Sequence, residues 1–417
     1  ASEDYKDIFC CIRCAACLNV CPAFRLVGGH VYGGSIYTGG IGTLLTSFLN
    51  SRERGKDIQN ICLQCGTCNT VCGGKLDIAG MILKLRTKFA QEDGLNPVHK
   101  FCLDTVADRH LFHSMLRIAS VAQGMITKGQ PMIRHLPMFL SGLTAGRSLP
   151  SVAPQPFRDI LPTIKQDVPN PKGKIAIFTG CLLDFVYVDI ATDVVKALNM
   201  AGYIVEMPLG QACCGAPATY MGDVENAKKA AEMNLNAMEA EKYDYIVSAC
   251  PTCTHALRDY VDFFKDDPEM LKKAEALRSK TFDFCKLVSM LGGLPDTGDG
   301  VPMKVTYHDS CHLNRYLGVT KEQRELLKAT KGVELIEMHD CDKCCGFGGS
   351  YSVKFPEMSA PILEEKINNI VASGADVVAV DCPGCLLQIR GGLDARGLNN
   401  IQVKHTAQIV VEKREKK

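Results

Sequence analysis

Neither sign of charge dominates this chain of 417 residues, in which 47 lysines and arginines stand against 46 aspartates and glutamates. Nucleic-acid binding needs a basic surface, so a formal net charge of +1 gives that function no electrostatic support. No apolar run reaches the roughly 18 residues that a membrane-spanning helix needs. The sequence also has no dinucleotide fingerprint for flavin or nicotinamide. Its glycine-rich stretch 28–42 lacks the lysine and hydroxyl residue of a nucleotide loop, so we interpret it as a turn or as backbone that approaches a bound group.

Cysteine, by contrast, is abundant, and 18 of the 22 cysteines fall into three recurring spacing patterns. The cysteines outside the patterns are Cys10, Cys102, Cys285 and Cys341. We expect these four to be buried apolar residues, although Cys10 and Cys341 are close enough to patterned cysteines to replace a neighbour. So many thiols at such spacings, with no signal peptide, predict a reducing cytoplasmic location rather than disulfide bonds.

The first pattern consists of two similar runs near the amino terminus. Their cysteines are Cys11, Cys14, Cys17 and Cys21, and then Cys62, Cys65, Cys68 and Cys72. This is the spacing of bacterial ferredoxins with two 4Fe-4S cubanes, in which the fourth cysteine of each run binds the other cluster. The first cubane set is therefore Cys11, Cys14, Cys17 and Cys72, and the second cubane set is Cys62, Cys65, Cys68 and Cys21. Zinc takes four ligands and has no use for eight in two such runs.

The second and third patterns are copies of each other, which indicates a duplicated domain. The first copy has Cys181, Cys213, Cys214, Cys250 and Cys253, and the second has Cys311, Cys344, Cys345, Cys382 and Cys385. The offsets between matching positions are 130, 131 and 132 residues. Each copy offers five thiols, one more than a cubane needs. Gly215 and Gly346 follow the adjacent pairs and permit a sharp backbone bend, so five converging sulfurs suit a cluster that is not a plain cube.

Alternating strands and helices place these cysteines in a fold. The first copy predicts strands at 174–180, 203–207 and 243–249, with helices at 187–201 and 224–240. The second predicts strands at 303–308, 333–338 and 376–381, with helices at 320–331 and 358–373. Such alternation is typical of a parallel, Rossmann-like sheet, whose ligand crevice lies at the carboxyl ends of the strands. All ten cysteines fall at those ends, and we expect the two sites to face a shared cleft.

The chain divides into four predicted parts: a two-cluster module at 1–100, a connector at 101–170, and the two repeats at 171–298 and 299–417. From Arg109 to Arg158 the connector carries basic and apolar residues and no acid. An amphipathic face on a membrane or redox partner is one interpretation. A helical connector packed on both halves is the interpretation we favour, because five prolines between 131 and 156 break any long helix.

The repeated cysteine pattern resembles the CCG domains of heterodisulfide reductases and of the iron-sulfur subunits of glycolate, glycerol-3-phosphate and lactate oxidases. Two segments near the amino terminus, CIRCAACLNVCPAFRLVGGHVYG and GGIGTLLT, resemble the ferredoxin-like end of a lactate-utilisation iron-sulfur protein. Three later segments resemble the CCG subunit of the same lactate-utilisation system: YHDSCHLNRYLG, CCGFGGSYSVKFPEMS and ADVVAVDCPGC. The chain thus looks like two subunits of that system fused into one. Since the ferredoxin-like relative has a large domain before its clusters, this chain, which begins at Ala1, is expected to be a fragment of a longer protein.

The resemblance implies an α/β protein with a helical ferredoxin-like module and two CCG domains. It implies two cubane 4Fe-4S clusters and one or two noncubane 4Fe-4S clusters, held by what we name the first CCG set (Cys181 to Cys253) and the second CCG set (Cys311 to Cys385). The implied function is electron transfer in a lactate-oxidising complex. The expected partners are a flavin-dependent dehydrogenase or related lactate-utilisation subunits and a quinone or soluble carrier, with the chain in the cytoplasm or on the cytoplasmic face of a membrane.

Two alternatives stay open. In the first, the CCG clusters themselves reduce a disulfide, as in heterodisulfide reductase, and the reactive cysteines are Cys213, Cys214, Cys344 and Cys345. The complete pairs Cys250/Cys253 and Cys382/Cys385 favour that reading. In the second, the metals only stabilise the fold and the protein is a scaffold without redox activity. Around Cys311, we interpret His308, Asp309, Ser310 and His312 either as groups that hydrogen-bond cluster sulfur and tune its potential or as merely structural residues.

Overall fold

The computed structural model describes residues 3–34, 37–124, 132–134, 147–295 and 300–414. It confirms the predicted fold class: a helical ferredoxin-like module comes first, and two four-stranded parallel sheets follow. Within these ranges no helix is long and apolar enough to cross a membrane. The four-part division of the chain stays a prediction.

Short helices make up the amino-terminal module, because its cysteine runs interrupt the chain at close intervals. A 3-10 helix, Glu3–Cys10, is followed by α1 (Ala16–Asn19), α2 (Pro22–Val31), α3 (Gly39–Leu49), α4 (Arg52–Ile58), a 3-10 turn at Gln59–Ile61, α5 (Thr67–Thr70) and α6 (Ile78–Asp93). Helix α6 begins at a cap in which Asp77 accepts a hydrogen bond from the Gly80 amide. Its buried face, which includes Ile82 and Leu85, packs with Leu44 of α3 into the core beneath the cysteine runs.

The described part of the connector is mostly helical, and three of its arginines form ion pairs. It contains α7 (Pro97–Ala107), α8 (Arg109–Ala122), the two-residue strands β1 (Met132–Ile133) and β2 (Leu149–Pro150), α9 (Phe157–Ile160) and a 3-10 turn at Leu161–Thr163. Arg117 pairs with Asp159, Arg134 with Asp394 and Arg158 with Asp184. Two of these pairs tie the connector to the repeats, whereas α8 has no buried residue and exposes Ile118 and Val121, so both interpretations of the connector stay predictions. Lys128 and the apolar residues in 125–131 and 135–146 lie outside the described residues.

The first repeat has four parallel strands in the order β4-β3-β5-β6. Its elements are β3 (Gly173–Ile177), α10 (Gly180–Phe185), α11 (Val188–Met200), β4 (Tyr203–Glu206), α12 (Ala216–Met221), α13 (Val224–Met238), a 3-10 turn (Ala240–Lys242), β5 (Tyr245–Ser248), α14 (Pro251–Asp259), a 3-10 turn (Tyr260–Phe263), α15 (Pro268–Lys280), β6 (Thr281–Asp283) and α16 (Phe284–Met290). The three predicted strands are present, and β6 is an additional one.

The second repeat has the equivalent order, β8-β7-β9-β10, again all parallel. Its elements are β7 (Met303–His308), a π-helix (His312–Tyr316), α17 (Glu322–Lys328), β8 (Val333–Leu335), α18 (Tyr351–Lys354), α19 (Pro356–Ala372), β9 (Val377–Val380), α20 (Pro383–Ala395), β10 (Gln402–Lys404) and α21 (Thr406–Glu412). Three predicted strands are present here too, and β10 was not foreseen. The identical strand order agrees with a duplication.

One apolar core joins the two repeats. Ile177 of β3 and Leu198 of α11 belong to the same buried cluster as Val380 of β9 and Val410 of α21. Burial of such side chains contributes roughly 1.5–3 kcal/mol each. The repeats are therefore packed on each other, which fixes the carboxyl ends of both sheets in relation to one another.

Candidate metal centres

The two amino-terminal cysteine runs form matching turns. Arg13 and Ala15 flank Cys14 with φ of 59° and 61°, and Gln64 and Gly66 flank Cys65 with φ of 58° and 71°. Three of these four residues carry side chains in the left-handed region, which is disfavoured without a compensating interaction. Both runs thus bend in the same way, turning successive thiols toward one side.

The first cubane set lies near the protein surface. Cys14 is exposed, Cys17 is buried, and Cys11 and Cys72 are between these extremes. Burial raises the pKa of Cys17, and the proximity of Cys11, Cys72 and Cys14 raises it further. All four line a cavity of about 180 Å³, which Tyr37, Thr38 and Ile41, at the end of the glycine-rich stretch, also border. The described part of that stretch therefore turns the chain beside this set; Ser35 and Ile36 lie outside the described residues.

The second cubane set is more deeply placed. Cys21 caps α2, where Pro22 opens the helix, and burial raises the pKa of Cys21 to about 12, with contributions from Cys65 and Cys62. Cys68 has Cys62, Cys65 and Cys21 as its nearest electrostatic neighbours, with Cys17 beyond them. The structure thus places Cys21 with the second run and Cys72 with the first, as the ferredoxin spacing predicts. The binding of iron by these residues stays a prediction.

The loop that carries the second cubane set is held by its main-chain carbonyls. Arg86 of α6 donates from Nη2 to the carbonyl oxygens of Gln59 and Cys62, at 2.7 and 3.1 Å. From the second repeat, Arg315 donates to the Cys65 carbonyl at 3.4 Å, and the Tyr316 hydroxyl donates to that of Gln64 at 2.9 Å. Sequence reasoning missed these residues, because the ends of such contacts lie far apart in the chain.

The first CCG set converges at the carboxyl ends of strands β3, β4 and β5. Cys181 lies in α10 rather than directly after a strand, and Gly215 follows the Cys213–Cys214 pair with φ of 79°. Cys250 caps α14, whose first residue is Pro251, and Cys253 lies in its first turn. The thiols follow one another within hydrogen-bonding reach in the order Cys181, Cys213, Cys214, Cys253, Cys250.

The second CCG set repeats this arrangement. Gly346 follows the Cys344–Cys345 pair with φ of 82°, and Cys382 caps α20, which opens with Pro383. The thiols follow one another in the order Cys311, Cys344, Cys345, Cys385, Cys382. A proline after a capping cysteine thus places a thiol at a helix amino terminus in both sets.

The two CCG sets meet each other. Cys250 is within hydrogen-bonding reach of Cys382, so the ten thiols form one continuous array. All ten line a single cavity of about 370 Å³, and among the described residues no aspartate or glutamate lines it. This agrees with the expectation of a shared cleft. Cys62 also lines the cavity, and Cys65 lies beside Cys344 and Cys311, so the second cubane set adjoins the second CCG set.

The polar residues around Cys311 take different roles. His308 is 1% exposed and faces the thiols of Cys345 and Cys385, whereas Asp309 turns to Arg324, which donates to both carboxylate oxygens at 2.9 and 2.7 Å. One ring nitrogen of His312 lies 3.8 Å from the Cys311 sulfur, and the other lies 2.7 Å from the Tyr220 hydroxyl. Burial lowers the pKa of His312 to about 4. His308 and His312 thus lie beside the second CCG set, and Asp309 binds Arg324 instead.

These thiol sets suit iron-sulfur clusters. All 22 cysteines are free, although many lie close enough to touch. Hydrogen bonds from neighbouring thiols hold the pKa of Cys214, Cys344 and Cys382 well below its usual value, and a thiolate is the form that binds iron. Soft sulfur donors without nearby carboxylates select iron-sulfur clusters or other soft metals over magnesium or calcium.

The cysteines outside the sets do not share one environment. Cys285 is fully buried, as predicted, but Cys10 and Cys102 are exposed and Cys341 is partly buried. The prediction was therefore wrong for Cys10 and Cys102. Cys10 ends a short 3-10 helix at the module surface and Cys102 lies on the outer face of α7, where neither has an apolar layer above it.

Comparisons with known proteins give concordant results. A family model described as a cysteine-rich domain matches residues 175–258 and again 305–390. One described as a 4Fe-4S dicluster domain matches residues 7–76. The probable glycolate oxidase iron-sulfur subunit of Bacillus subtilis (strain 168) is 30% identical over 428 residues, covering 98% of this chain and 94% of that protein.

Two further relatives are shorter than this chain. Lactate utilization protein A of Shouchella clausii is 39% identical over 240 residues, covering 57% of this chain and 99% of that protein. The protein of the same name from Bacillus subtilis (strain 168) is 36% identical over 238 residues, with 57% and 98% covered. The similarity to the glycolate oxidase subunit, by contrast, extends over both the amino-terminal module and the two repeats.

Proposed function

This chain belongs to the family of iron-sulfur subunits that includes the glycolate oxidase iron-sulfur subunit and lactate utilization protein A, and from that membership we propose that it transfers electrons in a complex that oxidises a small 2-hydroxy acid such as lactate. A partner subunit would oxidise the acid, since hydride chemistry needs a flavin or nicotinamide. The chain would pass the electrons to a quinone or a soluble carrier.

One observation carries this proposal: the four thiol sets form an unbroken line. The two cubane sets share the amino-terminal core. The sulfurs of Cys65 and Cys344 bring the second cubane set against the second CCG set, and Cys382 meets Cys250 of the first CCG set. A line of redox sites that begins at exposed Cys14 and ends in a cavity suits a relay between a docked partner and an acceptor.

The protein would hold two cubanes on the two cubane sets and a noncubane cluster on each CCG set. Such clusters supply one-electron transfer at potentials set by hydrogen bonds, charge and exposure. The side chains contribute the surroundings. Tyr220, Tyr351 and Phe347 line the CCG cavity and limit access of water, and Arg86 and Tyr316 fix the loop that bears Cys62 and Cys65.

The proposal is tested directly by the metal content of the purified protein and by the growth of a strain that lacks its gene. Anaerobically purified protein should contain about sixteen irons, the sum for four clusters of four, with equal acid-labile sulfide and a paramagnetic signal unlike a cubane. About eight irons with cubane signals alone would leave the CCG sets empty. Deletion of the gene should abolish growth on lactate, and a Cys102→Ser chain should restore it; normal growth of the deletion strain would contradict the proposal.

A second function is favoured by the ten-thiol cavity itself. A small disulfide could enter it and take up two electrons and two protons, so that its S–S bond breaks and two thiols leave. The complete pairs Cys250/Cys253 and Cys382/Cys385 line the space where this would occur. Reduced protein should then cleave a small heterodisulfide anaerobically, and absence of thiol release across several such disulfides would eliminate this function.

A further inference from the structure

The two CCG sets differ at one position that the duplication makes directly comparable. The offset of 130 residues that relates Cys181 to Cys311 also relates Phe178 to His308. His308 is the last residue of β7, and Phe178 directly follows β3. The Phe178 ring is fully buried in a cluster with Cys214, Cys250 and Cys253. The same place in the fold thus holds a phenyl ring in one repeat and an imidazole in the other.

His308 points at the thiols that correspond to those around Phe178. One of its ring nitrogens lies within 4.8 Å of the sulfurs of Cys345 and Cys385, and those two sulfurs are equally close to each other. These cysteines are the counterparts of Cys214 and Cys253. All three side chains are buried. This spacing is within reach of a single metal ion that all three could bind together.

Neither ring nitrogen of His308 has a hydrogen-bond partner in the described part of the chain. A buried polar group without a partner is costly, so an orphaned imidazole indicates a missing partner. The charged groups near it are already engaged, because Asp309 binds Arg324 and Lys366 donates to the carbonyls of Asp340 and Cys341. The Ser310 hydroxyl, which lines the same cavity, likewise has no partner among the described residues.

We propose that His308 is a nitrogen ligand to iron in the second CCG set, which makes that site mixed in nitrogen and sulfur while the first CCG set is all thiolate. This inference rests on the proposed function, because it requires a cluster on the second CCG set. Imidazole is a neutral ligand, and iron-sulfur clusters bound partly by histidine have higher reduction potentials than those bound by cysteine alone. The cluster on the second CCG set, which adjoins the second cubane set, should therefore be reduced more readily than the cluster on the first CCG set.

Pulsed electron paramagnetic resonance on the full-length, anaerobically purified protein tests this directly. With histidine labelled by ¹⁵N in the ring, the noncubane signal should show a coupling of the size of directly bonded nitrogen. The coupling should vanish in His308→Phe, which copies the side chain of the first repeat and so preserves packing. The potential of that signal should fall by at least ~59 mV, the equivalent of a tenfold change for one electron.

Two further variants guard against a general disturbance. Phe178→His should introduce a second nitrogen coupling at the first CCG set, and His339→Asn, at a side chain that is 82% exposed, should change neither coupling nor potential. A full complement of about sixteen irons with no nitrogen coupling, or a coupling that persists in His308→Phe, would overturn the ligand while leaving the proposed function intact. About eight irons in the unmodified protein would leave the second CCG set empty and so overturn the ligand, whereas normal growth of the deletion strain on lactate would overturn the proposed function.

Discussion

Two arginine side chains bind the main-chain carbonyls of two proposed ligands, Cys62 and Cys65. Arg86 lines the CCG cavity, pairs with no described carboxylate, and reaches Cys62 from within the amino-terminal module. Arg315 reaches Cys65 from the second repeat. Arg13 lines the cavity of the first cubane set, but it is exposed, so solvent screens its charge more than that of Arg86. Positive charge stabilises the reduced, more negative cluster, so the second cubane set should have the higher potential.

Replacing Arg86 by glutamine should therefore lower the potential of one cubane only. We expect the reduction potential to fall by roughly 50–100 mV, which is about a tenfold change or more in the ratio of reduced to oxidised cluster. Electron paramagnetic resonance spectra recorded at stepped potentials measure it. Arg54→Gln is the matched control, since Arg54 also donates to three main-chain carbonyls, those of Gly33, His30 and Val31. Equal shifts in both variants would assign the effect to loss of structure rather than charge.

The paired cysteines before Gly215 and Gly346 have a simpler test. Cys214→Ser or Cys345→Ser should each remove about four irons, one cluster, because serine is a poor donor to iron and the other four thiols of each set are already ligands of its cluster. Iron, sulfide and activity should be unchanged in Cys102→Ser, which alters an exposed thiol far from the sets. Retention of all iron in both buried variants would refute the assignment of the CCG sets.

Among the elements, the turns that carry these pairs depend on glycine for different reasons. Both glycines have φ near 80°, where a side chain costs about 1–2 kcal/mol. A Cβ at Gly346 would also meet the Ser359 carbonyl oxygen at 2.8 Å, whereas one at Gly215 would meet the Ala230 Cβ at 3.2 Å.

Gly346→Ala should thus be the more damaging substitution. We expect it to lower unfolding free energy by about 2–4 kcal/mol, against about 1–2 kcal/mol for Gly215→Ala, as measured by denaturant titration. It should also reduce the iron bound by the second CCG set. A larger loss from Gly215→Ala would show that the contact with the Ser359 carbonyl does not limit this turn.

Helix α8 is attached to the first repeat through a ring contact that depends on pH. The His113 ring lies 4.9 Å from that of Phe185 in α10, the helix that carries Cys181. Burial lowers the pKa of His113 to about 3, and the cations Arg158, Arg109, Arg117 and His110 add to the effect. The carboxylates that face this ring, Asp159 and Asp184, form ion pairs with Arg117 and Arg158.

His113→Phe should therefore reduce the loss of stability in mild acid. An unfolded histidine titrates near pH 6.5, so the unfolded chain takes up a proton that the folded chain refuses, and the stabilisation is complete above about pH 6.5 and declines below it. The ring is partly exposed, so the slope from this group should be well under ~1.4 kcal/mol per pH unit. Melting curves at about pH 7 and pH 5.5 measure it, with His339→Asn as the control; an unchanged slope in His113→Phe would contradict the assignment.

At the scale of the whole molecule, the line of thiol sets has one exposed end. Phe9 and Ile12 are 81% and 73% exposed; Phe9 precedes the run that contains exposed Cys14, and Ile12 lies within that run. Exposed apolar groups beside a redox centre suit a docking surface for a partner subunit. The other thiol sets have no member as exposed as Cys14. We therefore expect electrons to be exchanged with the partner here.

Ile12→Glu should slow electron exchange with the partner subunit at least tenfold, because a buried unpaired carboxylate at an interface costs more than 1.4 kcal/mol. Iron content and both cubane potentials should stay the same, which distinguishes docking from cluster loss. Val371→Glu, at a residue of α19 that is 45% exposed, is the control. Equal slowing by the two variants would place docking elsewhere.

Much of this architecture could be read from the chain, because hydrophobic runs and cysteine spacing are local signals. Six strands and the grouping of Cys21 and Cys72 with the opposite runs were predictable in that way. Strands β6 and β10 were not, since each has three residues and no extended apolar run. Arg86 and Arg315 bind the cysteine loop from far along the chain, and the inequality of His308 and Phe178 emerges only when their burial and neighbours are known.

The crossed grouping of the amino-terminal thiols bears on how the protein matures. Each proposed cubane set takes three thiols from one run and its fourth, Cys72 or Cys21, from the other. Filling either set ties the two runs together and carries the entropic cost of closing the intervening loop. The other set is then already gathered, so its metal binds without a second closure. Iron delivery to this module should consequently be cooperative, with half-loaded chains scarce at every stage of biogenesis.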